Sequence, residues 1–210
     1  EYENLIVCEI ICHSNPSPKV YKMYIKNREK QYSKKIKCMY FRSKNQAVDN
    51  KSYLEFEDGS IKKDTTFNTA FNSMLFSRPS CAACNFCDIN RKADITIGDF
   101  WGIENINPDF KDDKGVSLLT INTEKGSKIF EDIKNNMEYI EEPLELSFKS
   151  NHHSNISESK HREEFFKLIE NKEINDDNIC KYIEKYTQDS IFKRILRKGK
   201  RIVKKIIKRK

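Results

Sequence analysis

The apolar residues of this chain come in two patterns. Short apolar runs predict buried strands, and apolar residues that recur every three or four positions predict helices packed by one face. The predicted strands are 4–12, 35–40, 53–56, 94–98 and 116–121, and the predicted helices are about 18–32, 66–77 and a third that begins near 123. Elements in this order predict an α/β (α+β) fold in which helices flank a mixed sheet and a cysteine loop follows one helix.

Local signals at the ends of these elements support the assignment. Ser17 is a suitable N-cap for the first helix, and Pro18 suits its first position because a proline there loses no helical hydrogen bond. Asp58-Gly59 predicts a tight hairpin turn. Pro79 ends the helix before it and leads the chain into the cysteine loop.

The chain changes character near residue 160, beyond which the pattern is wholly helical and more polar. We therefore predict one domain over 1–170 and a helical extension over 171–210, with a basic amphipathic tail from about 190. Glu1 stands shortly before an apolar run, Leu5-Ile6-Val7, so we expect the domain to be N-terminally truncated.

Positive charge is concentrated at one end of the chain. The net charge is +7, with 39 basic and 32 acidic residues, and residues 191–210 hold eleven Lys or Arg and no acid. The rest of the chain therefore carries a net charge of −4. This distribution argues against specific nucleic-acid binding across the body of the protein.

Within this tail, apolar residues recur at three-to-four spacing between the Lys and Arg residues. The pattern predicts an amphipathic helix, and we favour an anionic membrane surface as its partner because each basic residue near anionic lipid adds ~1 kcal/mol. The alternative is a helix that packs on an acidic partner or on the body. No stretch has the ~18–20 apolar residues of a membrane-spanning helix. We expect a cytoplasmic protein, peripheral at the inner face of the membrane.

Seven cysteines form the strongest chemical signal. An odd count argues against a disulfide framework. Cys81, Cys84 and Cys87 form a C-x2-C-x2-C motif, in which three close thiolates and a remote fourth can bind a 4Fe–4S cluster. Structural zinc sites commonly use two separated C-x2-C pairs, and only one such group is present. We favour a cluster over zinc and over three buried thiols.

The fourth ligand has four candidates. Cys8 and Cys38 fall in the middle of predicted strands and Cys180 in an amphipathic helix, so these three are interpreted as small buried side chains. Cys12 falls where a strand meets a proline-rich turn, a rigid kind of strand end at which sites are built. Cys12 is therefore the favoured ligand.

Two further segments are candidates for cofactor chemistry. Residues 98–102 end a strand with two glycines around an acid and the only tryptophan. The glycines permit close approach of a cofactor, and Trp101 either stacks on that cofactor or is buried in the core. His13 adjoins Cys12 and either takes part in proton transfer or bonds the backbone. The chain has no G-x-G-x-x-G, P-loop or nucleophile-elbow motif.

Five ordered motifs resemble the C-terminal domain of the coenzyme F420 hydrogenase/dehydrogenase beta-subunit family. They are Cys12-His13 with Pro16 through Val20, Arg78 through Cys87, Ala93 through Gly102, Gly115-Val116-Ser117, and Asn122 through Gly126. The likeness covers about residues 1–170 and looks like the bacterial branch often encoded among polysaccharide-synthesis genes. Where many relatives have glycine after Cys-His, this chain has Ser14. We expect the family's upstream ferredoxin-like segment to lie outside this chain.

The resemblance implies an iron–sulfur flavoprotein oxidoreductase that passes electrons between a 4Fe–4S cluster, FAD and a carrier or substrate. In archaeal members the carrier is coenzyme F420. An electron-donor protein such as ferredoxin is the expected partner, and cell-surface polysaccharide synthesis is the expected setting. Carried over by position, the cluster ligands are Cys12, Cys81, Cys84 and Cys87, and the residues near the flavin or cluster are Gly98, Asp99, Trp101 and Gly102.

Two other functions stay open beside this enzyme. One is a non-catalytic, cluster-bearing protein that serves as an electron-relay or adaptor subunit and docks a partner enzyme. The other is a zinc-stabilised binding module. The identity of the bound metal and the presence or absence of a flavin distinguish these three functions.

Overall fold

A computed structural model of the protein describes residues 4–42, 52–147 and 154–187. The predicted basic tail lies outside the described residues. The described part divides into two compact units, which we call the cysteine unit (residues 4–13, 79–147 and 154–156) and the aromatic unit (residues 14–42, 52–78 and 157–187). The predicted domain boundary near residue 170 stays a prediction.

Helices and short strands alternate along the described chain, which confirms the predicted α+β class. The strands are β1 (Cys8–Ile10), β2 (Ile36–Tyr40), β3 (Tyr53–Phe56), β4 (Ile61–Lys63), β5 (Ile95–Asp99) and β6 (Ser117–Ile121). The helices are α1 (Pro18–Tyr32), α2 (Thr66–Asn72), α3 (Pro79–Ala82), α4 (Glu124–Ile133), α5 (Leu144–Ser147), α6 (Arg162–Glu170) and α7 (179–187). Within the described ranges no helix is both long and apolar enough to span a bilayer.

The cysteine unit is built on a mixed three-stranded sheet in the order β1-β5-β6. The central strand β5 is parallel to β1, with Cys8 opposite Ile95, and antiparallel to β6, with Ile97 opposite Leu119. A small cluster of buried side chains completes this unit, formed by Phe100, Ile103 and Leu118. The parallel pairing places the chain that leaves β1 toward Cys12 beside the chain that leaves β5 toward residues 98–102.

Asp94 connects β5 to the start of β1 and to helix α4. Its carboxylate accepts hydrogen bonds from the N–H of Val7 at 2.9 Å and from the hydroxyl of Thr123 at 2.7 Å. These two donors hold the pKa of the Asp94 carboxyl below its usual range. Its backbone carbonyl accepts the N–H of Asn122 at 3.0 Å. Asp94 is therefore a buried junction of the fold.

The aromatic unit has an antiparallel sheet in the order β2-β3-β4. The predicted hairpin turn is confirmed, with Gly59 at a φ of 79° between β3 and β4. The predicted helix start is also confirmed, because the Ser17 hydroxyl oxygen accepts the N–H of Val20 at 3.5 Å. The largest fully buried side chains of its core are aromatic: Tyr24, Phe56, Phe67, Phe76 and Phe165.

Two predicted elements are shorter in the structure. Strand β1 covers only Cys8–Ile10, because these three residues alone pair with β5, and Leu5 is exposed. Helix α2 ends at Asn72, where Met74 adopts a left-handed conformation with φ 59° and the N–H of Leu75 bonds back to the carbonyl of Ala70. This backbone closure is a C-terminal cap, and it stops the helix before residue 77.

The predicted burial of three cysteines outside the triplet is confirmed for one of them. Cys180 is buried in the aromatic core. Cys8 and Cys38 are exposed, so their interpretation as buried side chains is wrong. Both lie in strands with one open face, where a mid-strand position does not ensure burial.

Candidate functional site

The cysteine triplet lies in a loop that begins with the one-turn helix α3. Cys81 belongs to α3, and Cys84 and Cys87 follow in the turns after it. All three thiols are half-buried. Phe86, between the last two cysteines, is 77% exposed. The loop therefore holds three thiols and one solvent-facing aromatic ring within a single short segment.

Short contacts organise the second half of this loop around Cys84 and Cys87. The N–H of Phe86 donates to the sulfur of Cys84 at 3.4 Å, and the thiol of Cys87 donates to the carbonyl of Cys84 at 3.1 Å. The side-chain oxygen of Asn155 accepts the N–H of Cys84 at 2.9 Å and the thiol of Cys87 at 2.8 Å. Asn155 therefore joins the two cysteines from a distant part of the sequence.

The surroundings of the Cys87 thiol favour its protonated form. Burial raises the pKa of this thiol, and the neighbouring Cys84 raises it further. A thiol that donates to two acceptors is consistent with this state. Metal ligation requires the thiolate, so binding of a metal or cluster would release a proton from Cys87.

The side chains of the cysteine loop have the donor atoms that an iron–sulfur cluster requires. Thiols are the ligands that such clusters prefer, and the amide N–H that points at the Cys84 sulfur is the kind of donor that stabilises a cluster thiolate. The structure brings Cys84 and Cys87 together. Among the described residues, however, no three His, Cys, Asp or Glu side chains form a group that could hold a metal ion. The four-thiolate site stays a prediction.

Cys12 and His13 lie in the cysteine unit, just beyond β1. Cys12 is exposed, and its thiol is therefore accessible to a metal centre. His13 is half-buried and its Nε2 atom is shielded from solvent. The ligand role and the catalytic role both stay predictions.

Residues 98–102 follow from β5 into a one-turn 3-10 helix at Ile103–Asn105. Gly98 is closely packed, because a Cβ there would lie 3.0 Å from Ile11 Cδ1 and the Ile11 side chain would have to shift. Gly102 has a φ of 87°, a conformation that favours glycine. Asp99 is exposed at the end of β5.

The structure decides between the two interpretations of the tryptophan. Trp101 is 55% exposed, so the alternative that it is buried in the core is wrong. A partly exposed indole ring is a kind of surface on which planar ligands stack. Stacking on a flavin stays a prediction.

Sequence reasoning did not identify Asn155 or Arg91 as neighbours of the triplet. The Cys87–Asn155 contact spans 68 positions, and Arg91 donates to the carbonyl of Phe86 within the loop. Neither residue belongs to a recognisable motif. The only available signal for Arg91 was its position four residues after the last cysteine of the triplet.

Comparison with known proteins agrees with this architecture. A family model for the C terminus of the coenzyme F420 hydrogenase/dehydrogenase beta subunit matches residues 1–146, which is more than half of the chain. A search of curated proteins finds no significant match. The matched family consists of oxidoreductase subunits, and the matched region contains the cysteine triplet. The chain belongs to the coenzyme F420 hydrogenase/dehydrogenase beta-subunit family, and its residues 1–146 correspond to the C-terminal domain of that subunit.

Proposed function

We propose that this chain is an oxidoreductase subunit that holds a 4Fe–4S cluster on Cys12, Cys81, Cys84 and Cys87 and works with FAD. The observation that carries the proposal is the paired arrangement of Cys84 and Cys87, with a backbone N–H directed at the first sulfur, in a chain of this family. Such a cluster supplies one-electron transfer, and its potential depends on hydrogen bonds to its sulfurs.

The protein's own residues would serve binding and positioning. The triplet loop presents its thiols from a short segment, and Asn155 holds the second half of that segment in place. We propose that Trp101, whose ring is exposed, packs against the flavin, with Gly98, Asp99 and Gly102 of the same segment near the cofactor. We propose an electron-donor protein such as ferredoxin as the partner, coenzyme F420 as a candidate carrier, and cell-surface polysaccharide synthesis as the setting.

Spectra of the anaerobically purified full chain test this proposal. We expect broad absorbance near ~400 nm that dithionite bleaches, because cluster charge-transfer bands are lost on reduction. Additional flavin bands would support the enzyme, and a cluster without flavin would support the electron-relay or adaptor subunit. A colourless protein that contains zinc would contradict the proposal and support a zinc-stabilised module.

A second proposal concerns the basic tail, which lies outside the described residues. Its eleven Lys or Arg among residues 191–210 support binding to an anionic membrane surface. We expect the full chain to sediment with vesicles that contain anionic lipid, and a chain that ends at Ser190 to stay in the supernatant. Neutral vesicles are the control, since they lack the charge that attracts the tail. Equal sedimentation of both chains with anionic vesicles would refute this proposal.

A further inference from the structure

A buried arginine lies against the cysteine loop. The side chain of Arg91 is only 6% exposed. Its Nη1 donates a hydrogen bond to the carbonyl of Phe86, one of the two residues between Cys84 and Cys87. Its Nε lies 3.5 Å from a carboxylate oxygen of Glu9 on strand β1. Arg91 therefore connects the cysteine loop to the central sheet of the same unit.

The carboxylate that faces Arg91 is itself fixed. Glu9 accepts the hydroxyl of Thr96 at 2.9 Å. The side chain of Asn122 donates to the Thr96 hydroxyl oxygen at 2.9 Å and to the carbonyl of Ala93 at 3.1 Å. This chain of hydrogen bonds crosses from β6 through β5 to β1. It gives the guanidinium a defined position relative to the sheet.

Among the described residues, the charge of Arg91 is paired with the carboxylate of Glu9. A buried cation is costly unless it is both paired and hydrogen-bonded. Glu9 is near enough for an ion pair, but the Arg91 Nε has no hydrogen-bond partner among the described residues. A buried guanidinium that is hydrogen-bonded to the cysteine loop and has one nitrogen without a hydrogen bond among the described residues is suited to an anionic group held by that loop.

We propose that Arg91 is the positioning and charge-compensating residue of the cysteine-bound cluster. It fixes the backbone between Cys84 and Cys87 and places positive charge beside the thiolates. The inference rests on the proposed function, since it requires a cluster. A cluster held by four thiolates is anionic, and reduction adds one more negative charge. A nearby cation therefore stabilises the reduced form more than the oxidised form and raises the reduction potential.

Three variants of the full chain separate charge from general structural effects. Arg91→Met removes the buried positive charge, and Arg91→Lys keeps that charge but lacks the planar guanidinium group with its several N–H donors. Glu9→Gln removes the negative charge that faces Arg91. Lys92→Met is the matched control, because it removes an exposed positive charge from the adjacent position. A redox titration followed by electron paramagnetic resonance measures the cluster potential, and hydrogen exchange of the apo proteins measures order at the amides of residues 84–87.

For Arg91→Met we expect a more negative potential, with a fall of about tenfold in the equilibrium constant for cluster reduction, equal to about 59 mV for one electron. Glu9→Gln should shift the potential in the opposite direction, a sign that loss of stability alone does not produce. Arg91→Lys should keep most of the wild-type potential. Both Arg91 variants should exchange the loop amides several-fold faster, and Lys92→Met should resemble the wild type in both measurements.

The outcomes separate this inference from the function on which it rests. A wild-type chain that binds no cluster overturns the proposed function and the inference with it. A loaded wild type and a loaded Arg91→Met with equal potentials overturn the inference alone. If Arg91→Met folds but takes up no iron, the cluster potential of Glu9→Gln is the deciding measurement. A potential above that of the wild type supports the role of Arg91, and a potential equal to that of the wild type overturns it.

Discussion

Replacement of Cys84 or Cys87 by serine is expected to reduce cluster content to less than about a tenth of the wild-type value. The two cysteines are already neighbours and share the Asn155 side chain as a partner, and the Phe86 amide donates to the sulfur of Cys84. A serine hydroxyl is harder and far less acidic than a thiol, so it is a poor ligand for cluster iron. Iron and acid-labile sulfide per chain, measured after anaerobic purification, give the result directly.

Other cysteines of the same chain supply the controls. Cys38→Ser removes an exposed thiol from strand β2 of the aromatic unit and should retain full cluster content. Cys8→Ser and Cys12→Ser remove exposed thiols from the cysteine unit, one within β1 and one beyond it. Loss in Cys12→Ser but not in Cys8→Ser would identify the fourth ligand. Undiminished iron and sulfide in Cys84→Ser would show that the triplet does not hold the cluster.

Much of the fold could be predicted because its signals are local. The cap at Ser17 and the hairpin at Gly59 depend on a few adjacent residues, and both are confirmed. The end of α2 could not be predicted, because apolar periodicity continues through Met74 and Leu75 while the backbone has already turned. Periodicity records which residues face a core and does not record whether the chain between them is still helical.

The candidate site likewise combines a motif of nearby residues with contacts between residues that are far apart in the sequence. The spacing of Cys81, Cys84 and Cys87 is local, so the sequence predicts a loop with converging thiols. The contacts of that loop with Asn155 and of Arg91 with Glu9 cross 68 and 82 positions. Such contacts depend on how distant segments of the unit fold together, which neither composition nor spacing encodes. Exposure of Trp101 is likewise a property of the assembled unit.

The junction at Asp94 gives the prediction with the largest effect on stability. Replacement of Gly126 by alanine should destabilise the cysteine unit, because a Cβ there would overlap the carbonyl oxygen of Asp94 and lie 2.9 Å from its carbonyl carbon. The Asp94 carbonyl is part of the backbone, so it cannot easily shift away from the added methyl group. Asp94 is held by Val7, Asn122 and Thr123 at the same time. Overpacking of this kind costs about 1–3 kcal/mol or more.

Helix propensity acts in the opposite direction and decides whether the effect is observable. Alanine is favoured over glycine in a helix interior by about 1 kcal/mol, and less in the first turn, where Gly126 donates its N–H to Thr123. The clash should therefore dominate, with a net loss of about 2 kcal/mol and a fall in Tm of about 4–8 °C. Ser127→Ala is the matched control, since it adds alanine to an exposed position of the same helix. Thermal unfolding of the apo proteins measures both. An equal or higher Tm for Gly126→Ala than for Ser127→Ala would mean that α4 is not fixed against Asp94 in solution.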